Sequence, residues 1–360
     1  MKNLKVTLVI VLTLAMLVSA CACAPQTTQP ADTEDKAEQT VASVADDAAQ
    51  AADEGAGKGP KNGTNYKVGM SSSVLVYNSY ITISNSIEEY AKAEGWECVV
   101  TNADGDLAKQ ISDMEDLAAQ GCDLIFINCT DPEMLNPTIN TIVENGTPVV
   151  ALDGMLGSDA NVLTTITANN RQNGYECGQW AAKKLGGSTM NAIIISGAMS
   201  STVGQSRRSG TIDGFLEYAY QNYGEAKVNI LGQYYTDWYA DKSISAIEDA
   251  LSRGIEFNVI ISEADCMLLP IYEELVGKGI ADDYLFVSTA DAQKEAIELC
   301  LTADNYCTGL NSFTQQASIG IEVAKAYFNG TTKFPELTYT ESTCIEKSNA
   351  EKYFDPNATF

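Results

Sequence analysis

From Tyr66 onward, short runs of apolar and β-branched residues alternate with amphipathic stretches at helical period, and this alternation restricts the fold more than any other feature. Strands are expected at Tyr66–Met70, Trp96–Thr101, Asp123–Asn128, Pro148–Leu152, Asn191–Ser196, Val228–Tyr234, Asn258–Ser262, Tyr284–Ser288 and Tyr306–Leu310. Helices fill the gaps. Ile81–Glu94 and Leu107–Gln120 are examples, each closed by a glycine, Gly95 or Gly121, that adopts a left-handed backbone without steric cost. Strict strand–helix alternation gives parallel sheets covered by helices on both faces, with ligands held outside the carboxyl ends of the strands. Functional side chains are therefore expected just after strands.

The 360 residues carry 22 Lys plus Arg against 48 Asp plus Glu, a formal charge of −26, so no basic surface suited to nucleic acid is expected. There is no histidine. That removes Ser-His-Asp and Cys-His nucleophile pairs, His-containing zinc sites and the commonest general base at neutral pH. An enzyme is disfavoured, and no cofactor is implied.

Residues 1–20 read as a signal peptide: Lys2 and Lys5 precede an apolar run from Val6 to Val18, then Ser19 and Ala20. At about 20 Å as a helix, the run is too short to span a bilayer core. Val18-Ser19-Ala20-Cys21 resembles a bacterial lipobox, which makes Cys21 the expected lipidated residue, with Cys23 as the weaker alternative. Residues 21–65 hold few large apolar side chains and read as a disordered tether with a reach of roughly 35 Å. Eight of the ten cysteines lie beyond this region, without a C-x-x-C. Cys122 and Cys129 bracket one strand and are too far apart to pair. Cys300 and Cys307 are close enough in sequence to meet, although buried free thiols are the default for so apolar a residue.

After the threonines at Thr164, Thr165 and Thr167, Asn169-Asn170 opens a second strand–helix series, which reads as a crossing between domains. Further motifs follow in order: Tyr77 and Tyr80 after the first strand, Asn128-Cys-Thr130-Asp131-Pro132, Leu152-Asp153, an arginine-bearing helix before Asp213-Gly214-Phe215, Asp237-Trp238, Ala264-Asp265, Ser288-Thr-Ala-Asp291 and Thr308-Gly-Leu-Asn311. In order and spacing, over residues 66 to about 345, they resemble the type I solute-binding proteins of bacterial ABC importers, the ribose and galactose-binding group. The resemblance implies an α/β fold of two doubly wound, parallel-sheet, Rossmann-like domains joined by a three-strand hinge. Crossings would fall near Ala168/Asn169, Asn311/Ser312 and Leu337. The N-terminal lobe would then comprise 66–168 plus 312–337, and the C-terminal lobe 169–311 plus 338–360.

The resemblance also implies a site. Tyr77, Tyr80 and Trp238 would form walls for the C–H faces of a sugar, with Asp153, Asp265, Asp291 and Asn311 on its hydroxyls and Arg208, or neighbouring Arg207, as the cationic donor. Each has a plainer reading: loop packing for the tyrosines, a helix N-cap for Asp237 beside Trp238, turn chemistry for Asp153, a solvated helix terminus for the arginines. Sugar binders of this group commonly carry Arg after the strand-end Asp, and many carry Asn-Asp where this chain has Ala264-Asp265. Here Gly154 and Ala264 stand at those places, with Glu263 adjacent, so a more acidic cleft is expected. The expected partners are a sugar or polyol and an ABC permease, with the protein monomeric and lipid-anchored outside the cytoplasm. A lipoprotein reporting to a membrane receptor or kinase is the alternative. No G-x-G-x-x-G follows the first strand, which disfavours a dinucleotide enzyme. Asn102-Ala-Asp104-Gly-Asp106 lacks the later ligands of a calcium loop and reads as a turn capped by Asp106.

Overall fold

The computed structural model describes residues 65–358 and 360; the signal segment, Cys21 and the stretch to residue 64 lie outside the described residues. The strands form two six-stranded sheets. The first contains β1 (Lys67–Ser72), β2 (Glu97–Asn102), β3 (Leu124–Asn128), β4 (Val149–Leu152), β5 (Thr165–Thr167) and β11 (Leu337–Tyr339). Its order is β2-β1-β3-β4-β5-β11, with every pair parallel. The second contains β6 (Met190–Ser196), β7 (Val228–Tyr235), β8 (Val259–Ser262), β9 (Leu285–Ser288), β10 (Tyr306–Gly309) and β12 (Cys344–Ile345). Its order, β7-β6-β8-β9-β10-β12, repeats that of the first, and only β10 and β12 pair antiparallel. The fold is thus two doubly wound α/β lobes in which β4 and β9 hold equivalent places.

Between the strands run α1 (Asn78–Ala93), α2 (Leu107–Ala119), α3 (Asn136–Glu144), α4 (Asn170–Leu185), α5 (Thr202–Tyr223), α6 (Ala240–Ser252), α7 (Asp265–Gly277), α8 (Lys294–Cys300) and α9 (Phe313–Phe328). None of the described helices is long and apolar enough to cross a membrane. Each sheet is covered on both faces. Along β3, Leu124 and Phe126 join Ile83, Ile87 and Phe313, while Ile125 and Ile127 turn to Met114, Leu117 and Ile139, as the two-residue period of a strand requires. In the second sheet, Phe286 and Tyr306 face Leu268 and Ile271, while Val287 and Cys307 face Cys177 and Phe215. Cys300 and Cys307 therefore sit on opposite faces and do not meet, and all eight described cysteines are free.

The chain changes lobe after the fifth strand in each direction. β5 leads through Ala168 and Asn169 into α4, and β10 leads through Leu310, Asn311 and Ser312 into α9. Both receiving helices open on a side-chain cap: Asn169 Oδ1 accepts the Gln172 N–H at 3.1 Å, and Ser312 Oγ accepts that of Gln315 at 3.1 Å. Leu337, Thr338 and Tyr339 pair with β5, so the third crossing, expected near Leu337, follows Tyr339. Phe360 packs edge-on against Phe313, at 4.9 Å between ring centroids, so the chain end returns to the core of the first lobe rather than staying with the second. Asp106 caps α2 through the Lys109 N–H at 3.1 Å, and Asn102 bonds Asp104 within the same turn.

The helices α4 and α5 touch backbone to backbone. A Cβ on Gly174 would stand 2.1 Å from the Arg207 carbonyl oxygen, and one on Gly178 2.1 Å from that of Thr211. Reciprocally, one on Gly210 would meet the Arg171 oxygen at 2.1 Å and one on Gly214 the Tyr175 oxygen at 2.0 Å. Two glycines one turn apart on each helix bring the axes together, and this fixes where Arg207 leaves α5.

Candidate ligand-binding site

Asp153 follows β4, and Asp291 lies just beyond β9, the equivalent strand of the other lobe. Both have left-handed backbones, with φ of 67° and 99°. A side chain there costs on the order of 1 kcal/mol, and Asp is among the few residues that tolerate it. The strain turns two carboxyls from opposite lobes to a common point. Burial raises both pKa values; the Arg207 guanidinium opposes the rise at each, and the charge of Asp153 adds to that at Asp291.

Arg207 is itself buried. Its Nε donates to Asn170 Oδ1 at 2.8 Å and its Nη1 to the Glu263 carbonyl at 2.7 Å, with Asp291 Oδ1 at 3.7 Å. Bonds to the helix start and to the end of β8 aim the guanidinium along one direction. At the second crossing, the buried Asn311 receives the Gln316 Nε2–H on its Oδ1 at 2.9 Å, which turns Nδ2 toward the carboxyls. Asn311 lowers the pKa of both Asp153 and Asp291, yet Nδ2 completes no well-formed hydrogen bond to either. Gln316 Oε1 is also buried without a partner, while its Nε2 stands 3.5 Å from Asp153 Oδ1. A donor and an acceptor of the kind that suits a hydroxyl are thus left beside two carboxyls and a guanidinium.

Tyr80 is pushed well above the usual phenol range by burial and then by the Asp153 charge, with the Asn128 side chain hydrogen-bonded to its hydroxyl. Asn128, at the end of β3, also receives the Ser73 hydroxyl at 2.6 Å. The ring of Tyr80 stands edge-on to that of Tyr77, with centroids 6.0 Å apart. Tyr77 is partly exposed, and its hydroxyl lies within hydrogen-bonding reach of Tyr239 in the opposite lobe.

Three of the expected residues play different parts. Trp238 packs its indole on Gly197 at the end of β6, where a Cβ would stand 2.1 Å from the ring, and the aromatic that meets Tyr77 is Tyr239. Asp237 and Trp238 both have left-handed backbones, φ 53° and 67°, so Asp237 is no N-cap; it pairs with Lys242 at 2.7 Å, and α6 begins after Tyr239. Arg208 pairs with the buried Glu263 carboxylate, whose Oε2 also accepts the Gly197 N–H at 2.9 Å. Glu263 lies so close to the first turn of α5 that a Cβ on Gly204 would meet its Oε2 at 2.1 Å. Asp265 turns inward: Oδ1 accepts the Tyr306 hydroxyl at 3.2 Å, and Oδ2 accepts the Thr308 hydroxyl and the Gln293 N–H, both at 2.9 Å. Burial, reinforced by the Asp291 charge, pushes its pKa up to about 7. The structure therefore gathers Tyr80, Asp153, Asp291 and Asn311 around Arg207 rather than Arg208, and adds Asn128, Gln316 and Tyr239. Gln316 had a signal in its position, one helical turn past the Asn311 crossing.

Two α/β lobes of one strand order, exchanging the chain after the fifth strand and meeting at polar strand ends, define a hinged solute-binding protein. Residues 68–332 match the periplasmic binding protein domain, and the chain belongs to that family. It is 26% identical over 241 residues to a ribose import binding protein of Bacillus subtilis, covering 66% of this chain and 74% of that relative. To a xylitol-binding protein of Mycolicibacterium smegmatis it is 24% identical over 278 residues, covering 77% and 76%. An ABC transporter solute-binding protein from Bacillus halodurans, solved with bound myo-inositol, shares the fold at a TM-score of 0.71 and 19% identity, covering 81% of this chain and 99% of that one. The chain is accordingly a binding protein and not an enzyme.

Proposed function

We propose that this protein is the lipid-anchored receptor of an ABC importer, capturing a monosaccharide or polyol between its lobes outside the cytoplasm. The observation that carries the reading is the group Asp153, Arg207, Asp291 and Asn311, drawn from both lobes and the crossing, with Arg207 and Asn311 buried and the two aspartates half-buried, arranged as paired acceptors around a cationic donor. A polyhydroxylated ligand offers hydroxyls that donate to carboxylates and accept from guanidinium and amide N–H groups. Tyr77 and Tyr80 supply rings for its C–H faces. Relatives named for ribose and xylitol support that ligand class, and two half-buried acids near one arginine favour members rich in hydroxyl donors. Anchoring rests on the Val18–Cys21 segment.

Calorimetry on the purified protein against pentoses, hexoses, inositols and linear polyols tests the reading. At least one compound is expected to bind with micromolar or tighter affinity. No binder in the panel would remove the sugar and polyol assignment.

A further inference from the structure

Three cysteines distant in sequence converge behind the crossings in the second lobe. Cys177 lies on α4, Cys307 on β10 and Cys344 on β12. Gly309 pairs with Cys344, so Cys307, two residues earlier, is the diagonal neighbour of Cys344 on the same sheet face, and α4 packs Cys177 over both. The three sulfurs all lie within 4.8 Å of one another. Cys177 and Cys307 are fully buried and Cys344 partly exposed. Cys344 lines a surface hollow of about 400 Å³ together with Glu176 and Glu346, and Glu176 Oε2 accepts the Cys344 N–H at 3.1 Å.

Three thiols in an apolar core can be inert packing. Their geometry and approach argue for more. Around a zinc ion with Zn–S bonds of about 2.3 Å, sulfurs stand roughly 3.8 Å apart, so the trio needs to contract by no more than about an ångström. A disulfide needs two sulfurs at about 2.05 Å, a larger movement that also leaves the third thiol over. The opening carries two carboxylates, which attract cations, and the donor set is sulfur alone, which selects soft ions.

We propose that Cys177, Cys307 and Cys344 form a three-thiolate site for a soft, thiophilic cation of the zinc, cadmium and copper(I) class, entered through the hollow beside Glu176. Binding a divalent ion replaces three thiol protons, which pass to solvent, and leaves the cluster with one net negative charge. The site braces α4, β10 and β12, the second-lobe segments that adjoin the three crossings.

The test is titration of the reduced, oxygen-free protein with cadmium against a competing chelator, following sulfur-to-cadmium charge-transfer absorption in the ultraviolet. One ion per chain is expected. Cys344→Ser and Cys307→Ser should each remove about a third of the band and weaken binding by about 100-fold, while Cys98→Ser, in the other lobe, changes neither. The melting temperature without cadmium reports whether each variant folds, and the partly exposed C344S decides the matter if C307S does not. A wild type without the band, or an unchanged band in C344S, overturns the proposal. So does a mass loss of about 2 Da in air with two of these three thiols no longer alkylated, which would mark a disulfide pair instead.

Discussion

On α5, Arg207 turns its guanidinium toward carboxylates from two lobes, while Arg208, one residue on, neutralises Glu263 within its own lobe. Adjacent helical residues point about 100° apart, so the sequence marks an arginine here but not which one reaches the ligand. Arg207→Met is expected to weaken ligand binding by roughly 100-fold, as loss of charged hydrogen bonds would. Arg208→Met should leave affinity within about fivefold and instead cost about 3 kcal/mol, because Glu263 is left buried and unpaired. Calorimetry and denaturant melts on both variants check the split; equal affinity losses would refute it. Asp265 makes a second residue-scale prediction. Its folded pKa of about 7 lies above that of an unfolded aspartate, so its contribution to stability is full below about pH 4 and is lost as pH rises to 7. Between pH 5 and pH 7 that loss is on the order of 2 kcal/mol. The ligand-free protein should thus melt lower at pH 7 than at pH 5, with a smaller difference in Asp265→Asn; identical slopes would show that other groups carry the dependence. The sequence marked Asp265 as an acid after a strand, but its inward turn depends on Tyr306 and Thr308, on a strand some forty residues later.

At the scale of elements, what holds the arginine in place is the contact between α4 and α5. Gly174 and Gly178 face Gly210 and Gly214 at distances that exclude any side chain. Gly178→Ala places a methyl 2.1 Å from the Thr211 carbonyl oxygen, and since backbone cannot yield cheaply, a loss of 3 kcal/mol or more is expected, with weaker ligand binding as Arg207 shifts. Gly277→Ala, at the end of α7 with nothing near its Cβ, should be neutral or stabilise by up to about 1 kcal/mol. Urea unfolding of both distinguishes this from a general intolerance of glycine replacement. The paired four-residue glycine spacing is visible in the sequence, but its meaning emerges only once two consecutive helices are known to pack together. The nine longer strands were legible because apolar runs and turn residues repeat locally. β5, β11 and β12 were not: two or three residues show no periodicity, and only their partners in space make them strands.

For the whole molecule, the repeated strand order is the source of the site, since it sets the ends of β4 and β9 opposite each other and leaves Asp153 and Asp291 to share Arg207. The lobes meet at polar side chains, Tyr77 with Tyr239 and Asp153 with Arg207 among them, so they should part without ligand. Small-angle scattering is expected to show a smaller radius of gyration on adding a saturating sugar or polyol, and the melting temperature should rise by about 6 °C at a thousandfold excess over Kd. An unchanged radius would argue against closure around the ligand. The central claim is tested most directly by a crystal structure with the tightest-binding sugar or polyol. The account predicts the ligand between the lobes, with Asp153, Asp291 and Arg207 all within hydrogen-bonding distance of its hydroxyls. A ligand seated on another surface, with those three groups bonded only to one another, would contradict it.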